Sequence, residues 1–213
     1  MSERRKAYES PLRAEQAILT RRRVLDAARE LFVEQGFAQV TIAGVARQAG
    51  VARETVYKTF GNKADLLKAA YDVAVAGDDD PTPLLARPEI TDLLESGDLE
   101  QIADAYGRTT AGIALRVAPL VTAMAAAGSH PELEPTVARM KDERLRGTRA
   151  LFRRLCPGAA PAALAEQVDA HWALISPEVA LLLLRDRGWS AERYARWLAR
   201  QTVSQVELLR GSL

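Results

Sequence analysis

The sequence predicts an all-α protein of about nine helices, and three observations support this fold class. Apolar residues recur at the spacing of one helix face through most of the 213 residues. No convincing stretch alternates apolar and polar residues with the β-branched or aromatic enrichment of a strand. Glycine, proline and capping residues separate the periodic stretches, as they do between helices.

Composition narrows the class of protein further. Hydrophobic residues make up 48% and charged residues 27% of the chain, as in an ordinary globular protein. The single cysteine, Cys156, excludes a disulfide framework and a multi-cysteine metal site, and it fits a reducing cytoplasm. We see no secretory signal, and the apolar stretches 117–127 and 179–184 are too short to span a membrane. We therefore expect a cytoplasmic protein without a membrane partner, metal or cofactor.

Basic residues are concentrated in the N-terminal third of the chain. Residues 1–67 contain 12 Lys and Arg against 8 Asp and Glu, whereas residues 68–213 contain 17 against 20. A basic head on a mildly acidic body is typical of a phosphate-binding module joined to a ligand-binding or protein-binding module. Ordinary scatter would give the same split, so the charges alone leave nucleic acid binding open.

The N-terminal part of the chain predicts an arm, a first helix and two short helices. Residues 1–17 are polar and basic and predict a flexible arm, after which Thr20 is a candidate N-cap. Gly36 ends the first helix. Thr41 then caps a short helix that stops at Gly50.

Two further helices follow that glycine directly. The first covers about residues 52–58. Asn62 caps the second, and Asp65, three residues later, completes a capping-box-like pair.

Residues 41–60 have the length and the central glycine of a helix-turn-helix. Its apolar positions hold the two helices together, which leaves Arg53, Glu54, Thr55 and Lys58 pointing outward from the second helix. The second helix is therefore the candidate for the major groove of DNA.

The rest of the sequence predicts a larger helical body. Residues 77–83 and 87–88 predict a loop, and Pro119 either kinks or splits a long helix-like stretch from Asp98 to about Ala127. Further helices are expected over residues 132–155, about 161–186 and about 190–210, with Ser190 as the N-cap of the last.

The N-terminal residues resemble the TetR family of transcriptional regulators over residues 20–67. The matching positions are Ala27-Ala28, Leu31-Phe32, Gly36-Phe37, Thr41, Val45-Ala46, Ala49-Gly50-Val51, Thr55-Val56-Tyr57, Phe60, Lys63 and Leu66-Leu67. The resemblance implies a DNA-binding domain at 18–67 after an arm at 1–17, and a ligand-binding and dimerisation domain at 68–213.

The resemblance also implies which residues contact DNA. Tyr57 would contact a phosphate or a thymine methyl group, Lys63 and Thr41 would contact phosphates, and the outward residues of the second helix would read bases or phosphates. The predicted DNA-binding residues are Arg22, Thr41, Arg53, Glu54, Thr55, Tyr57, Lys58 and Lys63.

Two residues depart from the family's pattern. Ala52 replaces the usual Ser or Thr at the N-cap of the recognition helix, which removes a capping bond worth about 1 kcal/mol. Glu54 stands where a small residue is common, and it either accepts a hydrogen bond from a cytosine or pairs with Arg53 or Lys58. The basic arm either lies on DNA or only solubilises the chain, whereas for Arg22, at the first helix, we favour a phosphate contact.

Segments 171–180 and 187–198 look like the pairing helices of one subgroup of the family, whose last two helices form a four-helix bundle across a two-fold axis. Apolar stripes of this kind also suit an intrachain core, and we favour a homodimer because a palindromic operator needs two reading heads. The predicted dimer residues are Val168, Ile175, Val179, Leu182, Tyr194, Trp197, Leu198, Gln201 and Gln205.

A ligand pocket is expected among the fourth to eighth helices, with flexible apolar walls that suit a hydrophobic or mixed ligand. Ordinary core or surface positions are the alternative for each of its residues. The predicted lining residues are Tyr106, Thr109, Arg116, Met124, Met140, Phe152, His171 and Trp172.

The sequence therefore predicts a DNA-binding transcriptional regulator: a repressor that binds a palindromic operator as a dimer and is released by an unidentified small molecule. A ligand-independent or activating regulator is the alternative. We expect no enzyme, because His130 and His171 are the only imidazoles and no nucleophile elbow or phosphate loop appears.

Overall fold

The computed structural model describes the backbone of residues 2–77, 88–128 and 130–211, which form helices and no strands. The all-α fold class is confirmed. The helices are α1 (Ser2–Gln39), α2 (Ile42–Ala49), α3 (Arg53–Phe60), α4 (Lys63–Ala76), α5 (Pro88–Glu95), α6 (Leu99–Ala126), α7 (Glu134–Leu155), α8 (Pro161–Leu174), α9 (Pro177–Leu181), a π-helical segment (Leu182–Asp186) and α10 (Ala191–Gly211). Most of the predicted loop at 77–88 lies outside the described residues.

Helix α1 begins earlier than the sequence predicts. Its backbone is helical from Ser2, so helix replaces the irregular arm expected over residues 1–17, and Thr20 lies inside the helix instead of at its N-cap. Residues 13–17 are Arg, Ala, Glu, Gln and Ala, which are strong helix formers and favour this extension. The predicted stop at Gly36 is confirmed, because this glycine has φ 74° and ψ 162°.

Contacts divide the chain into two compact units. Unit 1 is Met1–Val73 with Leu120–Thr136, and unit 2 is Ala74–Pro119 with Val137–Leu213. Helices α4, α6 and α7 each contribute residues to both units. The functional boundary after residue 67 stays a prediction, because contacts show which residues pack together and not which part acts alone.

The core of unit 1 follows the predicted apolar faces. Helix α1 contributes Phe32 and Phe37, whose rings stack with centroids 6.0 Å apart. Five of the six apolar positions that the sequence assigns to the inside of the helix-turn-helix are buried, and the sixth, Val51, is half-buried. The buried five are Ile42, Val45, Ala46, Val56 and Phe60, and Ala49 of α2 and Leu66 and Leu67 of α4 are buried with them.

Helix α6 is continuous, with Pro119 inside it, so the proline does not split the helix. Asp98 caps its start by accepting from the backbone N–H of Gln101 at 3.1 Å. Contrary to the expectation from the sequence, α6 is long and apolar enough to cross a membrane by length and composition alone. Its buried residues include Ile102 and Val117 in unit 2 and Leu120 in unit 1.

The single helix predicted at about 161–186 is wrong, because the chain breaks it into three segments. Helix α8 ends at Leu174, and α9 begins at Pro177, whose ring and missing N–H prevent an unbroken helix. Ser176 caps α9 by accepting from the backbone N–H of Val179 at 3.2 Å. The predicted N-cap Ser190 is confirmed, since its hydroxyl accepts from the backbone N–H of Arg193 at 3.1 Å.

Helices α6 and α10 approach each other closely at Gly107. A Cβ atom there would lie 2.3 Å from the backbone oxygen of Ala195, a distance that real Cβ atoms essentially never show. The crossing places Ala111 and Ala114 of α6 in one cluster with Tyr194 and Leu198 of α10. Only glycine fits at position 107 without moving a backbone.

We predict that Gly107→Ala destabilises the protein by about 1–3 kcal/mol, the usual cost of overpacking a core. Gly147→Ala is the matched control, because a Cβ atom at Gly147, inside α7, has nothing within 4 Å. It should raise stability by about 0.5–1 kcal/mol through helix propensity. Urea denaturation measures both, and equal changes in the two variants would contradict the close crossing.

Candidate nucleic-acid interface and buried polar cluster

The turn between α2 and α3 is built by backbone hydrogen bonds. Thr41 caps α2, its hydroxyl accepting from the backbone N–H of Gly44 at 3.0 Å. At the other end Gly50 is left-handed, with φ 66° and ψ 39°. The N–H groups of Gly50 and Val51 donate back to the carbonyls of Arg47 and Ala46, a Schellman ending that turns the chain directly into α3.

Helix α3 has one buried and one exposed face. Val56 and Phe60 are buried, whereas Arg53, Glu54 and Lys58 are exposed. The remaining predicted reader, Thr55, is half-buried. Ala52 makes no side-chain capping bond, as the sequence predicts. The exposed face therefore carries two cations and one carboxylate in about two turns of helix.

Arg53 and Tyr57 form a pair one helical turn apart. The guanidinium lies 5.1 Å from the centre of the Tyr57 ring, and its Nη2 donates to the Tyr57 hydroxyl at 3.2 Å. Arg53 thus packs on Tyr57, one of whose predicted roles is a phosphate contact. Glu54 is exposed, so its carboxylate is accessible from solvent. Both alternatives for this residue, a hydrogen bond from a cytosine and an ion pair with Arg53 or Lys58, stay predictions.

Lys63 has a structural contact in addition to its predicted phosphate contact. Its Nζ donates to the backbone oxygen of Phe37 at 2.9 Å and lies 4.2 Å from the centre of the Phe37 ring. The neighbouring Asn62 caps α4 as predicted, with the Asp65 backbone N–H donating to Asn62 Oδ1 at 2.9 Å. The amide of Asn62 donates in turn to Asp65 Oδ2 at 2.6 Å.

The arginines at α1 differ in exposure. Arg22 is exposed, as a DNA contact requires. Arg21, in contrast, is half-buried and lies 5.0 Å from the centre of the Phe60 ring, so it packs on the end of α3.

Unit 2 contains a cluster of buried polar side chains around His171. This residue is fully buried, and its Nδ1 lies 2.6 Å from Gln205 Oε1 and its Nε2 3.2 Å from the Tyr106 hydroxyl. With the Gln205 oxygen facing the ring, Nδ1–H donates and Nε2 accepts from Tyr106. The Phe152 ring packs beside it at 5.0 Å. We refer to Tyr106, Phe152, His171 and Gln205 as the His171 cluster.

Burial determines the protonation state of the cluster. Desolvation lowers the pKa of His171 to about 4, partly opposed by the hydrogen bond to Gln205. Desolvation likewise raises the pKa of the Tyr106 hydroxyl above its ordinary value. Both groups are therefore neutral at physiological pH.

The structure brings together some of the predicted pocket residues and separates others. Tyr106, Phe152 and His171 are in contact. Trp172 instead donates through Nε1 to the Lys141 backbone oxygen at 3.1 Å and stacks under Arg144 at 4.8 Å.

The other predicted pocket residues lie elsewhere. Thr109 is half-buried and Met140 is buried. Met124 belongs to unit 1. A cleft of about 340 Å³ does occur in unit 1, between α1 and the start of α2, and none of the predicted pocket residues lines it.

Arg116 has a different role from the predicted pocket contact. Its Nε donates to the backbone oxygen of Ala74 at 2.7 Å and its Nη2 to that of Val75 at 3.0 Å. These carbonyls belong to the last turn of α4, where a cation interacts favourably with the helix dipole. Arg116 therefore caps the C-terminus of α4.

Four of the predicted dimer residues are buried inside the single chain, so their assignment to the interface is wrong. Val168 packs with Phe152, and Tyr194 and Leu198 pack with the small residues of α6, while Gln205 is in the His171 cluster. The stripe of α10 is wide enough that part of it faces the intrachain core. Leu182 stays exposed, and Ile175, Val179, Trp197 and Gln201 are half-buried.

Sequence reasoning missed three contacts of these sites. They are Arg144 against Trp172, Arg21 against Phe60, and His130, whose ring meets Phe37 edge-on at 5.0 Å. All three contacts join residues far apart in the chain, so no local spacing signals them.

Comparisons with known proteins agree with this geometry. Residues 24–70 match the family model of the bacterial regulatory proteins of the tetR family. The regulator SrpR of Pseudomonas putida is 46% identical over 56 residues, 26% of each chain. The fatty acid metabolism regulator protein of Bacillus subtilis is 46% identical over 44 residues, 21% of this chain and 23% of that protein. The chain thus spans about a quarter of the length of these curated relatives.

The fold is similar to that of a solved structure over nearly the whole chain. The crystal structure of NalD, the secondary repressor of the MexAB-OprM multidrug efflux pump in Pseudomonas aeruginosa, superposes with a TM-score of 0.62 and 23% identity. It covers 90% of this chain and 97% of that one. The chain is a helical protein with an N-terminal helix-turn-helix, and its residues 24–70 are similar to the bacterial regulatory proteins of the tetR family.

The buried imidazole predicts a specific pH dependence of stability. Because the pKa of His171 is about 4 in the folded protein and about 6.5 when unfolded, the unfolded state binds more protons between these values. The contribution of neutral His171 to the free energy of unfolding is complete above pH 6.5. It falls as the pH drops toward 4, by about 3 kcal/mol in all.

His171→Gln should remove this part of the profile while leaving the titration of the carboxylates in place. Urea denaturation of both proteins from pH 4 to 7.5 measures the difference directly. Parallel profiles for the two proteins would show that His171 is accessible to protons in the folded state. His171→Asn serves if the glutamine variant does not fold.

Proposed function

We propose that this protein is a transcriptional repressor that binds a palindromic DNA operator as a homodimer and is released by a small molecule. The observation that carries the proposal is helix α3. It follows a tightly closed turn, is anchored by Val56 and Phe60, and has Arg53, Glu54 and Lys58 on its exposed face. This is the arrangement of a recognition helix in a helix-turn-helix.

The exposed side chains of α3 suit the edges of base pairs. Arginine and lysine donate to guanine, and a glutamate accepts from the amino group of cytosine. Arg53, Glu54, Thr55 and Lys58 are therefore the proposed readers of sequence. The Glu54 carboxylate would disfavour a phosphate nearby, which confines it to the floor of the groove.

Phosphate contacts come from the residues around α3. We assign them to Arg22, Thr41, Tyr57 and Lys63. The Thr41 hydroxyl accepts from Gly44 and keeps its own proton to donate to a phosphate, at a helix N-terminus that attracts anions. Arg53 stacked on Tyr57 brings a positive charge next to this phosphate contact.

Dimerisation is proposed through the surface that the chain itself leaves open on α9, the π-helical segment and α10. Leu182 and Leu208 are 56% and 59% exposed, and together they would give an apolar contact between subunits. Ile175, Val179, Trp197 and Gln201 complete this surface. Two heads related by a two-fold axis would read half-sites about 34–36 Å apart.

The effector site is proposed in unit 2, at the His171 cluster. A hydroxyl, an imidazole and an amide lie there beside the Phe152 ring, so a largely apolar ligand with one or two polar groups fits best. NalD is described as the secondary repressor of a multidrug efflux pump, and the role of a repressor is what we extend to this chain. Such a regulator works in the cytoplasm, and we propose no enzymatic activity for it.

Arg53→Ala should change which bases are preferred, because it removes a base-reading donor from α3. We expect a loss of about 1–3 kcal/mol on the operator and little loss on random duplex DNA. Arg149→Ala, an exposed arginine on α7, is the control for the loss of one positive charge. Footprinting and anisotropy titrations measure both, and equal losses on the two DNAs would reduce Arg53 to a backbone contact.

The switch predicts reciprocal coupling between effector and DNA. An effector that binds unit 2 better when α4 is displaced would lower operator affinity about 5–150-fold, for a coupling of about 1–3 kcal/mol. DNA must then lower effector affinity by the same factor. Arg116→Gln, which loses the charged cap on the α4 carbonyls, should reduce this factor while preserving operator binding without effector.

Titration of effector with and without operator tests the coupling, after a thermal-shift screen has identified a stabilising compound. Equal effector affinities in the two titrations would favour the alternative of a ligand-independent regulator. A reporter whose expression falls when the gene is deleted would instead identify an activator.

A further inference from the structure

The turn between α6 and α7 belongs to the same compact unit as the helix-turn-helix, and His130 is its aromatic contact. The His130 ring meets the Phe37 ring at 5.0 Å with an interplanar angle of 78°. Phe37 is only 1% exposed, so its ring is enclosed by the core on all sides. Residue 130 is therefore one wall of the site that holds Phe37.

Phe37 in turn determines where Lys63 lies. The ammonium group is bound twice, by the backbone oxygen of Phe37 at 2.9 Å and by the face of its ring, with Nζ 4.2 Å from the ring centre. A lysine side chain otherwise samples many rotamers, and restraining it costs conformational entropy. Because Phe37 already restrains Lys63, this conformational entropy is lost when the protein folds and not when DNA binds.

The contact of His130 with Phe37 depends on the shape of the ring and not on a hydrogen bond. His130 Nδ1 is buried and has no hydrogen-bond partner among the described residues. A buried nitrogen of this kind is unfavourable, because it has lost its hydrogen bonds to water. The aromatic packing must outweigh it, and an apolar ring of similar size should serve the same purpose.

We propose that His130 is a positioning residue for the contact between Lys63 and a DNA phosphate, and that it acts through Phe37. It keeps the Phe37 ring under the ammonium group, so that Lys63 presents its remaining N–H donors to the phosphate in one orientation. This inference rests on the proposed function, in that unit 1 must bind DNA for Lys63 to meet a phosphate at all.

Removal of the His130 ring opens a cavity beside Phe37. The Phe37 ring can then tilt into it, and the ammonium group loses the face that orients it. Because a phosphate contact is independent of sequence, the loss should appear equally on any duplex. It should also lower the salt dependence of binding, since one counterion fewer is released per subunit.

The test is a double-mutant cycle of His130→Ala and Lys63→Ala, with binding of a random-sequence 30-base-pair duplex followed by fluorescence anisotropy at several salt concentrations. Lys63→Ala should weaken binding roughly five- to tenfold per subunit at 0.1 M salt and lower the salt slope by about one. His130→Ala alone should cause a loss in the same direction and lower the slope. In the Lys63→Ala background it should cause no further loss.

Two controls separate positioning from general destabilisation. His130→Phe keeps an aromatic ring against Phe37 and should restore both affinity and salt slope. Leu151→Ala removes a buried side chain of unit 2 and lowers the melting temperature without touching Phe37, so it should leave DNA binding unchanged below the transition. His130→Leu replaces the alanine variant if the latter does not fold.

Additive losses in the cycle, or full affinity and an unchanged salt slope in His130→Ala, would overturn the inference while leaving DNA binding by the wild-type protein intact. Failure of the wild-type protein to bind any duplex at low salt would overturn the proposed function instead. The two failures are thus distinguished by the wild-type titration alone.

Discussion

The direction in which α3 leaves α2 depends on the left-handed backbone at Gly50. A residue with a Cβ atom pays about 1–2 kcal/mol for that conformation, and the two hydrogen bonds that close the turn require it. The turn is so short that α3 has little freedom to roll about its axis. Once Val56 and Phe60 are inserted against the core, Arg53, Glu54 and Lys58 have no orientation other than outward.

In unit 1, long basic side chains stabilise the fold as well as supplying positive charge. Arg21 lies over Phe60, and Lys63 caps the end of α1 through Phe37. Both contacts place a cation on the face of a buried aromatic ring, where its charge is favourable and its alkyl stem covers apolar surface. The positive charge of the head is thus held in fixed places before any anion approaches.

In unit 2, in contrast, polar side chains are buried and uncharged. His171 is fully buried, with both ring nitrogens hydrogen-bonded, and burial keeps it neutral. A neutral, satisfied network is specific, because a shift of either neighbour strands a buried polar atom. The His171 cluster is therefore held firmly by hydrogen bonds within its own chain.

The sequence by itself determined the N-terminal helix-turn-helix, because its caps, turn glycines and buried faces are local signals: Thr41, Gly50, Asn62 and Phe60 each act within a few residues of the chain. It also determined the all-helical class. The tertiary structure alone decided which partner each helix face meets. Tyr194 and Leu198 lie on the same apolar stripe as Trp197, yet the first two are buried in the chain and the third is half-exposed. The reason is that periodicity records that a face is buried and not what covers it, and contacts such as Arg116 with Ala74 join residues that no local pattern relates.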